Sequence, residues 1–142
     1  MTIVDTTVWV DYLNSTANPQ TIWLGREFGQ TQLGLADLIL CEVLQGLKTE
    51  AAAKRVARFF SPFDMFQLGG EAIAIDSAAN YRILRRRGYT IRKTIDCLIA
   101  TFCIQHDYSL LHHDHDFDPF EKHLGLQVIH PHFEGIGPVH LQ

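Results

Sequence analysis

The chain has 142 residues, 46% hydrophobic and 20% charged, with a formal net charge of −4. That is the make-up of an ordinary soluble globular protein with room for one real core, and the negative charge argues against indiscriminate coating of nucleic acid. No apolar run reaches the roughly 18 residues of a membrane span, and Met1-Thr2-Ile3-Val4-Asp5 has no basic region and an acid where a signal peptide would be apolar, so a cytoplasmic protein with no membrane segment is expected. The three cysteines, Cys41, Cys97 and Cys103, lie inside apolar patterns without Cys-x-x-Cys spacing and read as small buried hydrophobes of a reduced compartment.

In chain order, Thr2-Ile3-Val4 is short, β-branched and predicted to be a buried strand. Thr6 or Thr7 can cap a helix running to about Leu13. Asn18-Pro19 starts a second helix with Ile22, Trp23, Leu24 and Phe28 on its apolar side. Leu33 to Ala36 reads as a strand, and Asp37 as the cap of a helix that carries Glu42 and ends near Gly46. Glu50 to Phe60 is alanine-rich and helical, stopped by Ser61-Pro62, and Phe63 to Leu68 resembles a strand. A long helix follows Gly69-Gly70, with Ala72, Ile75, Ala79 and Ile83 at helical spacing and Gly88 at its close. Another amphipathic helix, most of it after Thr94, contains Ile95, Leu98-Ile99 and Phe102-Cys103. Ser109 to Leu111 and Leu126 to Ile129 are the last strands, and about 130–142 forms an irregular tail. Strands alternating with helices predict one α/β domain over 1–142, layered α/β/α around a mainly parallel sheet.

Ligands of such sheets bind beyond the carboxyl ends of the strands. Asp5 and the stretch 112–116 each follow a strand directly, and Glu42 and Asp96 sit near the starts of their helices. All four positions should therefore meet at one end of the sheet. Each has a structural alternative: Asp5 as a cap or turn residue, Asp96 as an acid favoured by the helix dipole. Asp118 before Pro119 reads as a helix start only. Glu42 is harder to explain structurally, because Ile39, Leu40, Cys41, Val43 and Leu44 surround it and an unpaired buried carboxylate is costly. Converged carboxylates repel one another and need a cation; hard oxygen ligands suit Mg²⁺ or Mn²⁺. Six of the twelve Lys and Arg residues fall between Arg82 and Lys93. That cluster is either a solvated helix end or, lying just before Asp96, an edge that contacts phosphate.

These residues also carry a family resemblance. Asp5-Thr6-Thr7-Val8-Trp9, then Glu42-Val43 with Gly46, resemble the first two motifs of PIN-domain ribonucleases. Ile95-Asp96-Cys97-Leu98-Ile99-Ala100 and Leu110-Leu111-His112-His113-Asp114-His115-Asp116-Phe117 resemble the last two. The likeness covers roughly Thr2 to Ile129. It is nearest to the VapC toxins of bacterial type II toxin–antitoxin pairs, to which Arg86-Arg87-Gly88-Tyr89-Thr90-Ile91-Arg92 is similar as well. The resemblance implies a PIN-like fold and a metal-dependent endoribonuclease toxin, hydrolysing phosphodiester bonds in RNA, forming a homodimer and inhibited by a VapB-like antitoxin. It implies Asp5, Glu42, Asp96 and Asp114 as catalytic residues, with Asp5, Asp96, Asp114 and Asp116 holding the metal. Thr7 would support the site by hydrogen bonding, and Arg86, Arg87, Arg92 and Lys93 would contact RNA.

Three rival readings follow from the same residues. His112, His113, His115, His130 and His132 could bind zinc, although their spacing matches no common zinc motif. A phosphatase-like hydrolase could use Asp5 as nucleophile, but it needs a second Asp two residues on, where Thr7 stands. The acids could also form a non-catalytic binding module that attracts a basic partner.

Overall fold

The structure, a computed structural model, describes residues 1–132; the part of the expected tail from residue 133 onward lies outside the described residues. Five strands form one sheet in the order β3-β2-β1-β4-β5 (β1 Thr2–Val4, β2 Leu33–Ala36, β3 Asp64–Phe66, β4 Ser109–Leu111, β5 Gln127–Val128). Every pairing is parallel, with Ile3 opposite Gly34 on one side and Leu110 on the other. Among the described residues seven α-helices flank the sheet: α1 Thr6–Leu13, α2 Pro19–Glu27, α3 Asp37–Gln45, α4 Glu50–Phe60, α5 Glu71–Arg86, α6 Thr94–His106 and α7 Asp118–Leu124. Every residue of β1 and β2 is buried, as expected of parallel strands covered on both faces, which lose the apolar–polar alternation of a half-exposed sheet. No helix among the described residues is long and apolar enough to cross a membrane.

The central strands leave no spare volume. A Cβ built on Gly34 would come within 2.6 Å of the Phe66 ring, 2.9 Å of Ile3 and 2.9 Å of Met1, so the glycine allows three side chains to close over β2. On one face Trp9 of α1 is fully buried and lies edge-on to Phe60 at 4.8 Å and Phe63 at 5.6 Å between ring centroids. Phe28, which caps the end of α2, joins the same cluster, tying α1, α2 and α4 together by aromatic packing.

Local signals placed most elements within a residue or two, with several corrections. The α1 cap is Asp5, whose Oδ2 accepts the Thr7 amide; neither Thr6 nor Thr7 fills that role, since both already lie inside the helix. Asp37 is likewise the first residue of α3 rather than its cap. Its Oδ1 accepts the amides of Leu38 and Leu68 at 2.8 and 2.9 Å, pinning the chain that leaves β3 onto α3. β3 and β5 are shorter than the apolar runs that suggested them, because both are edge strands. In α5 the stripe Ala72, Ile75, Ala79 and Ile83 does not face the core: Ile75 is 59% exposed, while Ser77 and Leu84 are buried and Ile73 and Tyr81 pack inward. The packed face carries small and polar residues, with the Asn80 amide donating to Thr101 Oγ1 of α6 at 3.0 Å. Gly88 ends the α5 turn at φ +94°, a conformation that costs glycine little. Cys97 and Cys103 are buried, and burial pushes their thiols up to about 11 and about 12. Cys41 is exposed, because it lies on the solvent face of α3.

Candidate metal centre

The order β3-β2-β1-β4-β5 sends the chain from β1 to β2 on one side, while β4 lies on the other. The order in which strands are added reverses between β1 and β4, and a crevice opens there at the carboxyl edge. Asp5 leaves β1 at this point, with its amide donating to the Leu111 carbonyl of β4 at 2.9 Å. Asp114 follows β4. Glu42 comes from the middle of α3, and Asp96 from the first turn of α6. The four expected positions do meet: a cavity of about 390 Å³ is lined by Asp5, Glu42, Asp96 and Asp114 together with Thr6 and Lys93.

Asp96, Asp114 and Asp116 each place a carboxylate oxygen within 4.8 Å of the others. Among the described residues this trio is the one group of His, Cys, Asp or Glu side chains gathered closely enough to hold an ion. The described histidines join no such group. Asp5 lines the same cavity outside the trio.

Hydrogen bonds explain how each acid is held. The Thr7 hydroxyl donates to Asp5 Oδ2 at 2.7 Å and receives the His113 amide at 3.3 Å, linking the ends of β1 and β4. The Thr6 hydroxyl donates to Glu42 Oε1 at 2.6 Å. Successive threonines in the first turn of α1 thus fix two different carboxylates. The Asp116 amide donates to Asp114 Oδ1 at 2.9 Å. Asp96 differs: its Oδ2 is buried and has no partner. A carboxylate oxygen in that state is costly unless a proton or a cation meets it.

Electrostatics agree with the geometry. Asp5 is 3% exposed, and burial pushes its carboxyl up to about 6 against the hydrogen bonds from Thr7. Burial, then repulsion from Asp5 and Asp114, pushes Asp96 up to about 7, with Lys93 opposing the shift. These carboxyls retain protons close to neutrality when no cation is present, which is how crowded acids behave. Hard carboxylate oxygens that converge in a polar crevice fit a divalent cation of the magnesium type.

The basic residues divide. Lys93 lines the cavity. Arg92 reaches across from the α5–α6 connection to Asp116, Nε to Oδ2 at 3.0 Å, and the bond and charge of Asp116 raise its pKa further. Arg86 lies in the last turn of α5 and Arg87 caps it; Arg87 contacts His123 Nδ1 at 3.0 Å, and neither lines the acidic cavity. Removing Arg92 takes a positive charge away from the trio. Arg92→Ala is expected to tighten divalent-cation binding by roughly two- to tenfold at low salt, read by calorimetric titration with Mn²⁺; unchanged or weaker binding would contradict this.

Sequence reasoning passed over Thr6 and Asp11 as site residues, although both line the cavity, as does His113, which the sequence offered as a substrate contact. Asp11 lies two turns into α1, accepts the Asn18 side chain at 3.0 Å and faces His113 Nδ1 at 3.7 Å. Its helical spacing from Asp5 and Thr7 was the one signal that could have found it.

A parallel α/β sheet with carboxylates gathered at its reversal point can hold a divalent cation for chemistry on phosphate. The chain belongs to the PIN domain family, which matches residues 2–122. Among curated relatives it is 29% identical over 131 residues to VapC ribonuclease Mb1587 of Mycobacterium bovis, covering 90% of this chain and 97% of that one. The same identity and coverage hold for ribonuclease VapC11 of Mycobacterium tuberculosis. Similar solved structures include FitAB bound to an IR36 DNA fragment, with a TM-score of 0.75 and 19% identity over 94% of this chain and 98% of that one. VapBC2 from Rickettsia felis, bound to a DNA fragment from its promoter, gives 0.69 and 17% over 90% and 96%. At these identities the structural matches establish the fold, a PIN-type three-layer domain.

Proposed function

We propose that this chain is a metal-dependent endoribonuclease toxin of the VapC kind, acting in the cytoplasm as one PIN-like domain over 1–142 and using Mg²⁺ or Mn²⁺. The observation that carries the reading is the Asp96, Asp114, Asp116 trio with the buried, unpartnered Asp96 Oδ2 beside it. Asp96, Asp114 and Asp116 would hold the cation, with Asp5 completing the shell. When bound, a divalent cation there neutralises charge on the phosphate and acidifies a coordinated water. Glu42, fixed through Oε1 by Thr6, orients the attacking water with its other oxygen and takes up its proton. Lys93 steers the phosphodiester into the cavity, and Thr7 keeps Asp5 and the His113 segment in register. Arg86 and Arg87 offer charge for the RNA strand further out, and Arg92 joins them once released from Asp116.

The relatives named as ribonucleases support an RNA substrate. The VapBC and FitAB complexes support control by a small VapB-like antitoxin and assembly as a homodimer. The phosphatase alternative is weakened by Thr7, which occupies the place of a second acid and engages Asp5 Oδ2 with its hydroxyl. The test is incubation of antitoxin-free protein with total RNA in EDTA, Mg²⁺ or Mn²⁺, with mapping of the cut ends. Cleavage is expected only with added cation. No metal-dependent cleavage by the wild type would favour the non-catalytic binding module.

A further inference from the structure

Beside the acidic cavity lies a second one, of about 280 Å³, sharing His113 and Asp114 with the first. Two of the residues lining it carry buried polar atoms without a hydrogen-bond partner: His112 Nε2 and Gln20 Oε1. Both are conspicuous, since buried polar groups are almost always paired.

The hydrogen-bonding character of His112 is fixed by its surroundings. His112 is only 8% exposed. Its Nδ1 accepts the Asp114 amide at 3.2 Å, so in the neutral ring the proton sits on Nε2, which is a donor. The ring is held against Phe117, with 4.8 Å between centroids. Gln20 Oε1, from the first turn of α2, is an acceptor. The residues that carry this donor and this acceptor therefore line a single cavity next to the carboxylates.

The remaining lining selects the ligand class. Val128 and Ile129 supply apolar wall. The charged groups do not suit a phosphate: Asp114 and Asp118 are acids, and His115 is engaged with Asp118 at 2.8 Å and His130 with Glu121 at 2.7 Å. The volume is just below the roughly 300 Å³ at which small-molecule pockets begin, enough for one ring system and not for a whole nucleotide. A flat group with apolar faces and a polar edge that both accepts and donates is a nucleobase, and unstacked bases of single-stranded RNA are read in this manner.

We propose that this cavity is a base subsite, holding the nucleobase of a nucleotide that flanks the cleaved phosphate, with His112 Nε2–H and Gln20 Oε1 reading its edge. The proposal rests on the ribonuclease reading above and adds a determinant of sequence preference to it. Gln20 carries the test, because it is half-exposed on α2 and does not touch the carboxylates, whereas His112 supports Asp114 directly.

Short RNAs carrying each of the four bases at the positions flanking the cut are cleaved by wild type and by Gln20→Ala in Mn²⁺, and kcat/KM is compared within each protein. The wild type is expected to favour one base at one flanking position. Gln20→Ala should reduce that preference about tenfold, the effect of one lost hydrogen bond to a bound group, and leave preferences elsewhere in the RNA as they were. The subsite is refuted if the wild type is indifferent to both flanking bases, or if Gln20→Ala keeps the wild-type preference. It is equally refuted if that variant loses antitoxin binding while its base preference persists. Failure of the wild type to cleave any RNA in metal is a separate result, which removes the ribonuclease reading and the subsite together.

Discussion

Asp96→Asn is expected to abolish metal-dependent RNA cleavage, by at least about a hundredfold, because it removes a ligand rather than a supporting contact. The same change should make the cation-free protein more stable at pH 8. Both Asp96 and Asp5 have carboxyls raised above the ordinary range, to about 7 and about 6. The folded chain therefore binds more protons than the unfolded one between about pH 4 and 7, and its stability falls as pH rises through that window. Asn at 96 carries no charge to bury and relieves Asp5 of a repelling neighbour, a gain of roughly 1–3 kcal/mol above neutrality. Melting curves at pH 5.5 and pH 8 separate the two effects. The wild type should melt lower at pH 8 without cation and recover on addition of Mn²⁺; Asp96→Asn should show only the smaller pH response left by the buried Asp5 and little recovery with Mn²⁺. A variant that cleaves RNA at wild-type rates would sink the metal-site assignment. One that is inactive but no more stable at pH 8 would show that Asp96 is not held as an electrostatic burden.

Trp9→Ala is expected to cost about 3–5 kcal/mol, the range for a fully buried large aromatic, and to lower the melting temperature by roughly 10 °C or more. Trp9 has no solvent exposure and contacts Phe60, Phe63 and Phe28 by ring edges and faces. Its indole N–H is buried and unpartnered, so Trp9→Phe loses volume but also removes an unsatisfied donor, and should cost less than about 2 kcal/mol. The position bears on chemistry as well as stability, because it lies less than one turn after Thr6 and Thr7 in α1. Loosening that helix relaxes the bonds holding Asp5 and Glu42, so Trp9→Ala should lose activity at temperatures where it is still mostly folded. Urea unfolding and cleavage assays on the same preparations check both statements. Equal midpoints for Trp9→Ala and wild type would mean the aromatic cluster is not what holds α1 to α2 and α4.

The parts of this protein legible in its sequence are those set by short-range patterns. Ile3-Val4 and Leu110-Leu111 announce buried strands by composition, and Asp5 directly after the first and Asp114 three residues after the second announce the crevice. Asn18-Pro19 announces α2, whose reciprocal cap with Thr21 is present. What was not legible depends on which face an element turns and on pairs far apart in the chain. The bonds Thr6 to Glu42 and Arg92 to Asp116 span 36 and 24 residues, and nothing local says which side chain each acid will pair with. The misplaced α5 stripe has the same origin: Ile75 looked like a core residue by spacing, but packing on α6 favoured the face bearing Ser77 and Asn80. Gln20 and His112 lie 92 positions apart in sequence and become neighbours only through the sheet order.

That order also governs when the site can come into being. β4, which must sit beside β1 before Asp5 and Asp114 can share a crevice, is the fourth strand in the chain, and Asp96 and Asp116 lie on either side of it. A polypeptide made from its N-terminus presents Asp5 and Glu42 long before their partners exist. While the chain is growing, β1 has only β2 to pair with, and three of the carboxylates proposed to hold the cation have yet to be made. The nuclease centre is thus withheld from the translation machinery until the last strands have emerged, a delay written into the strand order itself.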